Sequence, residues 1–315
     1  MISIRFNKDD DSFIHESKLC KVTRMNHILE VVSLQRIPDV SQIITRLSKD
    51  QYMLNETGEV LDYKHNDHRG QNVAGLKRTF KKIRRLINTN FCGSPNEFFL
   101  TLTYAENMTD RERLYRDFDR FMKQLRYHYG GMGYISVIEP QGRGAWHLHV
   151  LLRLNEKDAA FLPHKELTAM WGHGFVWIRR LKGVDNIGAY LCAYLADLEV
   201  PDDALIVPGD IVTKEVVDKN GRKQTKRFIK GGRCHMYPPG MNIYRHSRDM
   251  LQPETIEMTY AEIKEIVGDC APDYGCSVTI SDDNGKQLNK VTYQNFNLKR
   301  IKRQGENNGD SSTGV

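Results

Sequence analysis

The chain has 315 residues, 40% hydrophobic and 27% charged, which excludes disorder throughout and excludes a mini-protein stapled by disulfides. The 46 Lys and Arg against 40 Asp and Glu leave a net charge of +6, enough to permit a nucleic-acid partner without requiring one. No apolar run reaches the roughly eighteen residues a membrane span needs, and no Walker-type phosphate loop marks an ATP motor. The six cysteines form no Cys-x-x-Cys pair, and Met1-Ile2-Ser3-Ile4-Arg5 opens no apolar leader, so reduced thiols in a cytoplasmic protein are expected.

Residues 1–70 are polar and weakly patterned, an N-terminal extension of unassigned role with short strands expected at His27–Val32 and Glu59–Tyr63. From Gln71 the pattern turns helical. Leu76, Phe80, Ile83 and Ile87 recur at helical spacing while Lys77, Arg78, Lys81, Lys82, Arg84 and Arg85 make the outer face cationic. Phe98–Tyr104 is aromatic and β-branched, a strand. Thr109-x-x-Glu112 predicts a capping box for a helix of about five turns carrying Leu114, Phe118, Phe121 and Leu125, ended by Gly130, Gly131 and Gly133. Tyr134–Glu139 and Trp146–Leu152 are two further strands, and Pro140–Gly144 between them suits a hairpin loop.

A helix over Pro163–Trp171, a strand at Phe175–Ile178 and a helix over Val184–Leu198 follow. The order matches an α+β fold, a ferredoxin-like antiparallel sheet (β-α-β-β-α-β) with one extra helix and with N- and C-terminal extensions. Val212–Val217 and Lys223–Phe228 flank Lys219-Asn220-Gly221-Arg222, the composition of a tight hairpin turn. The expected division is 1–70, a central domain at 71–200 with its motifs in 98–197, a basic hairpin segment at 201–250, a small element at 251–302, and a tail at 303–315 too polar to fold.

His147 and His149 alternate with Leu148 in a strand, so both imidazoles project from one face and can close on one cation. The bland alternative is a solvated or hydrogen-bonded pair, because His-x-His occurs in many unrelated proteins. If the two flanking strands pair antiparallel, Glu139 lies beside His147, and two imidazoles with one carboxylate leave open positions for water and substrate oxygens. Tyr190 and Tyr194 stand four residues apart and share one face of the Val184–Leu198 helix. Aromatic core packing is the alternative there.

The combination resembles the HUH endonucleases, specifically the two-tyrosine rolling-circle replication initiators of small phages and plasmids. Phe99-Leu100-Thr101-Leu102-Thr103-Tyr104 resembles the first motif, Gly144-Ala145-Trp146-His147-Leu148-His149-Val150-Leu151-Leu152 the His-hydrophobic-His motif, and Tyr190-Leu191-Cys192-Ala193-Tyr194 the Tyr-x-x-x-Tyr motif. The resemblance implies Tyr190 and Tyr194 as catalytic nucleophiles, with His147, His149 and Glu139 as ligands of Mg2+ or Mn2+. It further implies nicking of single-stranded origin DNA through a 5′-phosphotyrosine, a free 3′-OH primer, later strand rejoining, host helicase and polymerase partners, and the cytoplasm of a bacterial host. Relatives often carry a Lys three residues after a catalytic Tyr; here Ala193 and Asp197 occupy those places, so Arg179, Arg180 or Lys182 are candidates for the missing charge.

Between residues 211 and 248 ten cations (Lys214, Lys219, Arg222, Lys223, Lys226, Arg227, Lys230, Arg233, Arg245 and Arg248) stand against two acids, Glu215 and Asp218. Phe228, Tyr237 and Tyr244 are interleaved, a composition suited to single-stranded DNA. A solvated hairpin is the competing reading, and the cationic Lys77–Arg85 helix is a second candidate surface. Rival functions are an HUH transposase or relaxase, a metal hydrolase, and a non-catalytic ferredoxin-like nucleic-acid-binding module.

Overall fold

The protein is described by a computed structural model covering residues 3–8, 12–36, 43–65, 67–68, 71–155, 161–182, 186–188, 198–200, 211–217, 223–229, 233–268 and 270–300. It divides into two compact units, residues 1–63 with 252–315, and residues 64–251.

The first unit holds a six-stranded sheet drawn from both ends of the chain. Strands β1 (Ser3–Lys8), β2 (Leu19–Met25) and β3 (Ile28–Leu34) combine with β15 (Glu254–Thr259), β16 (Tyr274–Ser281) and β17 (Gln287–Asn297) in the order β1-β16-β17-β3-β2-β15, all antiparallel. A two-residue turn at Asn26-His27 joins β2 to β3, with Asn26 at φ 53°, a left-handed conformation that Asn tolerates. Val22, Leu29, Val31 and Phe296 pack with Tyr260, Ile263 and Val267 of helix α4 (Tyr260–Val267), which a Thr259/Glu262 capping box starts. Strands β4 (Ile44–Arg46), β5 (Gln51–Leu54) and β6 (Val60–Asp62) form a separate small sheet. The polar terminal segments thus supply strands to one shared sheet.

The second unit opens with α1 (Val73–Asn90), started by Asn72, whose side chain accepts from the Gly75 amide. Its central sheet follows: β7 (Glu97–Thr103), α2 (Arg111–Tyr129), β8 (Met132–Pro140), β9 (Trp146–Leu154), α3 (His164–Trp171) and β10 (Val176–Arg180). β14 (Tyr244–His246) completes it in the order β10-β7-β9-β8-β14, every neighbouring pair antiparallel. Leu100, Leu102, Leu148, Val150 and Ile138 on one sheet face are buried in a core shared with Leu114, Phe118, Phe121 and Leu125 of α2 and Trp171 of α3. Gly174 has φ +155°, and a Cβ there would strike the backbone of Thr103 to Ala105, so the turn into β10 can press against the end of β7.

Two local expectations are corrected. The cap of α2 is Asp110, whose side chain accepts from the amides of Glu112 and Arg113, and not Thr109, whose carbonyl instead accepts from the Trp146 indole at 2.8 Å. Leu198 does not end a helix: Leu198–Val200 is strand β11, pairing with β13 (Lys223–Ile229), which pairs in turn with β12 (Ile211–Val217). The proposed hairpin turn at 218–222 and the tail at 303–315 lie outside the described residues. Among the described residues no helix is long and apolar enough to cross a membrane.

Candidate metal centre

The β8–β9 hairpin builds the site. Gln141 N–H donates to the Ala145 carbonyl and Gly144, at φ 89°, closes the turn, which sets a register with Glu139 opposite His147 and Val137 opposite His149. Opposed residues share a face, so the carboxylate and both imidazoles converge. Glu139 Oε2 lies 3.0 Å from His147 Nε2 and 2.6 Å from His149 Nε2, and one donor atom from each of the three residues falls within 4.8 Å of the others.

Each donor is held from behind. Thr101, opposite His149 on β7, places Oγ1 3.2 Å from His149 Nδ1, and Gln141 Nε2 stands 3.4 Å from His147 Nδ1. A hydroxyl serves as donor or acceptor, so Thr101 can support the tautomer that offers Nε2 as a free lone pair. Arg233 donates through Nη2 to Glu139 Oε1, and through Nη1 to the Pro140 carbonyl at 2.8 Å.

The electrostatics suit cation binding. Burial alone would push the Glu139 carboxyl up, but hydrogen bonds from His147 and His149 and the Arg233 charge outweigh it and hold the group well below the usual carboxylate range. Burial pushes His147 below the ordinary imidazole value against the pull of Glu139, favouring the neutral ring that a ligand must be. Two neutral imidazoles and an ionised carboxylate oxygen are a donor set for a divalent ion, so the residues present fit one.

The remaining expected residues divide. Tyr190 and Tyr194 lie outside the described residues, as do Lys219, Arg222 and Lys230, while Lys214, Lys223, Lys226 and Arg227 fall on β12 and β13. Tyr244 on β14 is opposite Val137, on the histidine face. Arg245 pairs with Asp119 at 3.2 Å and lies over the Tyr115 ring. Tyr237 is fully buried, its ring 5.8 Å from Trp146 and its hydroxyl donating to the Ile138 carbonyl at 2.8 Å, which makes it a core residue and not a surface for bases. Thr101 was within reach of the sequence pattern, since it alternates with Leu100 and Leu102 on the polar face of its strand; nothing local marked Arg233.

An antiparallel α+β sheet presenting two imidazoles and one carboxylate on one face defines an open-faced divalent-cation site. Residues 97–199, which carry all three donors, match the family model for the replication-associated protein ORF2. That match links the segment to DNA, its replication and the initiation of replication. No curated protein and no solved structure matches the chain.

Proposed function

We propose that the chain is a rolling-circle replication initiator of the two-tyrosine HUH type, nicking and later rejoining single-stranded origin DNA. The observation that carries this reading is the convergence of Glu139 Oε2 with the Nε2 atoms of His147 and His149 inside the segment that matches the replication-associated family. A ferredoxin-like fold is supported by the element order β7-α2-β8-β9-α3-β10 and by the spatial order β10-β7-β9-β8.

Mg2+ or Mn2+ held by the three donors would supply Lewis-acid polarisation of a phosphodiester. Tyr190 or Tyr194 attacks the phosphorus, the new phenolic P–O bond forms as the P–O3′ bond breaks, and the departing 3′ oxygen takes up a proton while the phenol loses one. The product is a 5′-phosphotyrosine and a 3′-OH primer for a host polymerase. One ester replaces another, so no ATP is consumed, and strand separation falls to a helicase partner. The second tyrosine takes the regenerated origin after a round of synthesis, and strand transfer releases a circle.

A path for the strand is supported by one row of facing residues on the histidine side of the sheet: Trp177, Thr101, His149, Val137 and Tyr244. Aromatic side chains thus stand two strands to either side of His149, about 10 Å at ordinary strand spacing. The β12–β13 cations supply attraction to phosphates.

The test is a covalent adduct between the purified chain and a single-stranded origin oligonucleotide in Mn2+ or Mg2+, detected on a denaturing gel. The double change Tyr190→Phe and Tyr194→Phe is expected to abolish it. An adduct that survives that change overturns the nucleophile assignment, and an adduct that forms equally in chelator overturns the cation's role.

A further inference from the structure

Arg233 lies outside the segment that matches the replication-associated family, yet it touches the candidate site. Its placement is built in. Three bonds tie residues 233–243 to three consecutive residues of β8: Tyr237 Oη to the Ile138 carbonyl at 2.8 Å, the Ile138 amide to the Ile243 carbonyl at 2.8 Å, and Arg233 Nη1 to the Pro140 carbonyl at 2.8 Å. Glu139 is the residue they bracket. Cys234, Tyr237, Met241 and Ile243 are buried in the same core as the β8 and β9 strands, so the arginine is delivered from a packed turn and not from a loose loop. Its side chain is only 15% exposed.

The guanidinium divides the carboxylate. Nη2 takes Oε1, while Oε2 is the oxygen shared with His147 and His149. A carboxylate free at both oxygens can chelate a cation with both and use up an open position. A carboxylate pinned at one oxygen by a forked cation offers only the other. The same guanidinium cancels the carboxylate charge within the site, so an added divalent ion keeps its full charge toward an anionic phosphodiester.

We propose that Arg233 is a positioning residue that restricts Glu139 to one ligand oxygen, giving up some cation affinity in exchange for an open, more electropositive site for the phosphate. The proposal rests on the cation-site reading above. It assigns to Arg233 the charge that the Tyr-x-x-x-Tyr motif lacks at Ala193 and Asp197. It also predicts an effect opposite in sign to that of mere structural support, since outer partners that only hold a ligand in place weaken metal binding when lost.

The experiment measures Mn2+ binding by calorimetry to the full chain without DNA, for the wild type, Arg233→Met, Arg233→Gln and the charge-retaining Arg233→Lys, beside single-turnover cleavage at saturating Mn2+. The neutral variants are expected to bind Mn2+ about three- to tenfold more tightly, since a nearby unit charge at intermediate dielectric is worth that much or more, and to cleave at least about tenfold more slowly. Arg233→Lys is expected to return Mn2+ affinity to the wild-type value with partial cleavage. If either neutral variant, folded by its melting profile, binds Mn2+ equally or more weakly than wild type, the role given to Arg233 is wrong while the cation site stands. Absence of Mn2+ binding by the wild-type chain overturns the cation site, and this inference with it.

Discussion

Glu139 and His147 face each other directly across the β8–β9 ladder, and the carboxylate Oε2 sits 3.0 Å from the imidazole Nε2. Because the register of a hairpin is set by its turn, one carboxylate and one imidazole eight positions apart are held as a pair before any ligand arrives. Glu139→Gln and His147→Ala are expected to lower Mn2+ affinity and cleavage by at least about 100-fold, the scale of several kcal/mol of Lewis-acid stabilisation. Binding of a single-stranded oligonucleotide should stay within about twofold, since the basic strands and the aromatic row carry affinity. Calorimetry and gel shift check the two halves, and a parallel loss of DNA binding would contradict the separation.

Asp117 is the buried acid of a second cluster on the helix side of the sheet. Its Oδ2 accepts from Tyr104 Oη at 3.1 Å, Arg113 Nε stands 3.5 Å from the same oxygen, and His173 Nε2 is 3.4 Å from Oδ1. Burial, then the Asp117 charge and hydrogen bond, push the Tyr104 phenol far up, so it remains a neutral donor. The acid therefore ties α2 to the chain leaving β7 and to the turn after α3. Asp117→Ala leaves the fully buried Tyr104 hydroxyl without that acceptor and is expected to cost about 1–3 kcal/mol in denaturant unfolding. Tyr104→Phe, which removes the polar group together with its need for a partner, should cost less; the reverse order would show that the cluster is not what holds α2.

The cap of α2 predicts a pH dependence. The amide hydrogen bond from Arg113 and then that from Glu112 hold the Asp110 carboxyl below its ordinary value. A carboxylate depressed in the folded state contributes stability that is complete above its unfolded value, about 3.9, and is lost as pH falls through the lower folded value. Thermal melting of wild type and Asp110→Ala should therefore differ at pH 6 and converge as the acid range is entered. Melting curves that stay equally separated down to pH 2 would remove the charge from the explanation and leave only helix geometry.

Local periodicity made the site strands legible. Alternation placed His147 and His149 on one face, and the short glycine-containing loop after Pro140 implied that Glu139 would return beside them. The cap was misplaced by one residue because Thr109 and Asp110 are both good caps and only backbone geometry chooses between them. The sheet of the first unit was invisible for a different reason: β1 pairs with β16, with Ser3 opposite Ser281, and no local pattern encodes so distant a partner. Arg233 and Tyr237 were grouped with a basic surface by composition, but burial is decided by the strand they pack against, and β8 was not known to be their neighbour.

The last prediction concerns the aromatic row beside the donors. Trp177 faces Thr101 on edge strand β10 and remains 41% exposed, whereas Trp146 and Trp171, the other two tryptophans of the chain, are buried. Its ring meets Phe99 edge-on at 6.0 Å, Phe99 stacks on His149 at 5.5 Å and 10°, and the Arg179 guanidinium lies 5.4 Å from both the Trp177 and Phe99 rings. The platform is thus continuous with the imidazole that would hold the cation, so a base stacked on Trp177 would fix the strand relative to the reacting phosphate. Stacking on an aromatic side chain is worth about 1–3 kcal/mol per base, so Trp177→Ala should weaken single-stranded oligonucleotide binding about tenfold while leaving Mn2+ affinity unchanged. Trp177→Phe should recover most of the loss. Quenching of intrinsic fluorescence on adding oligonucleotide should come from this one exposed indole and vanish in both variants; quenching that persists in Trp177→Phe would place the DNA on another face.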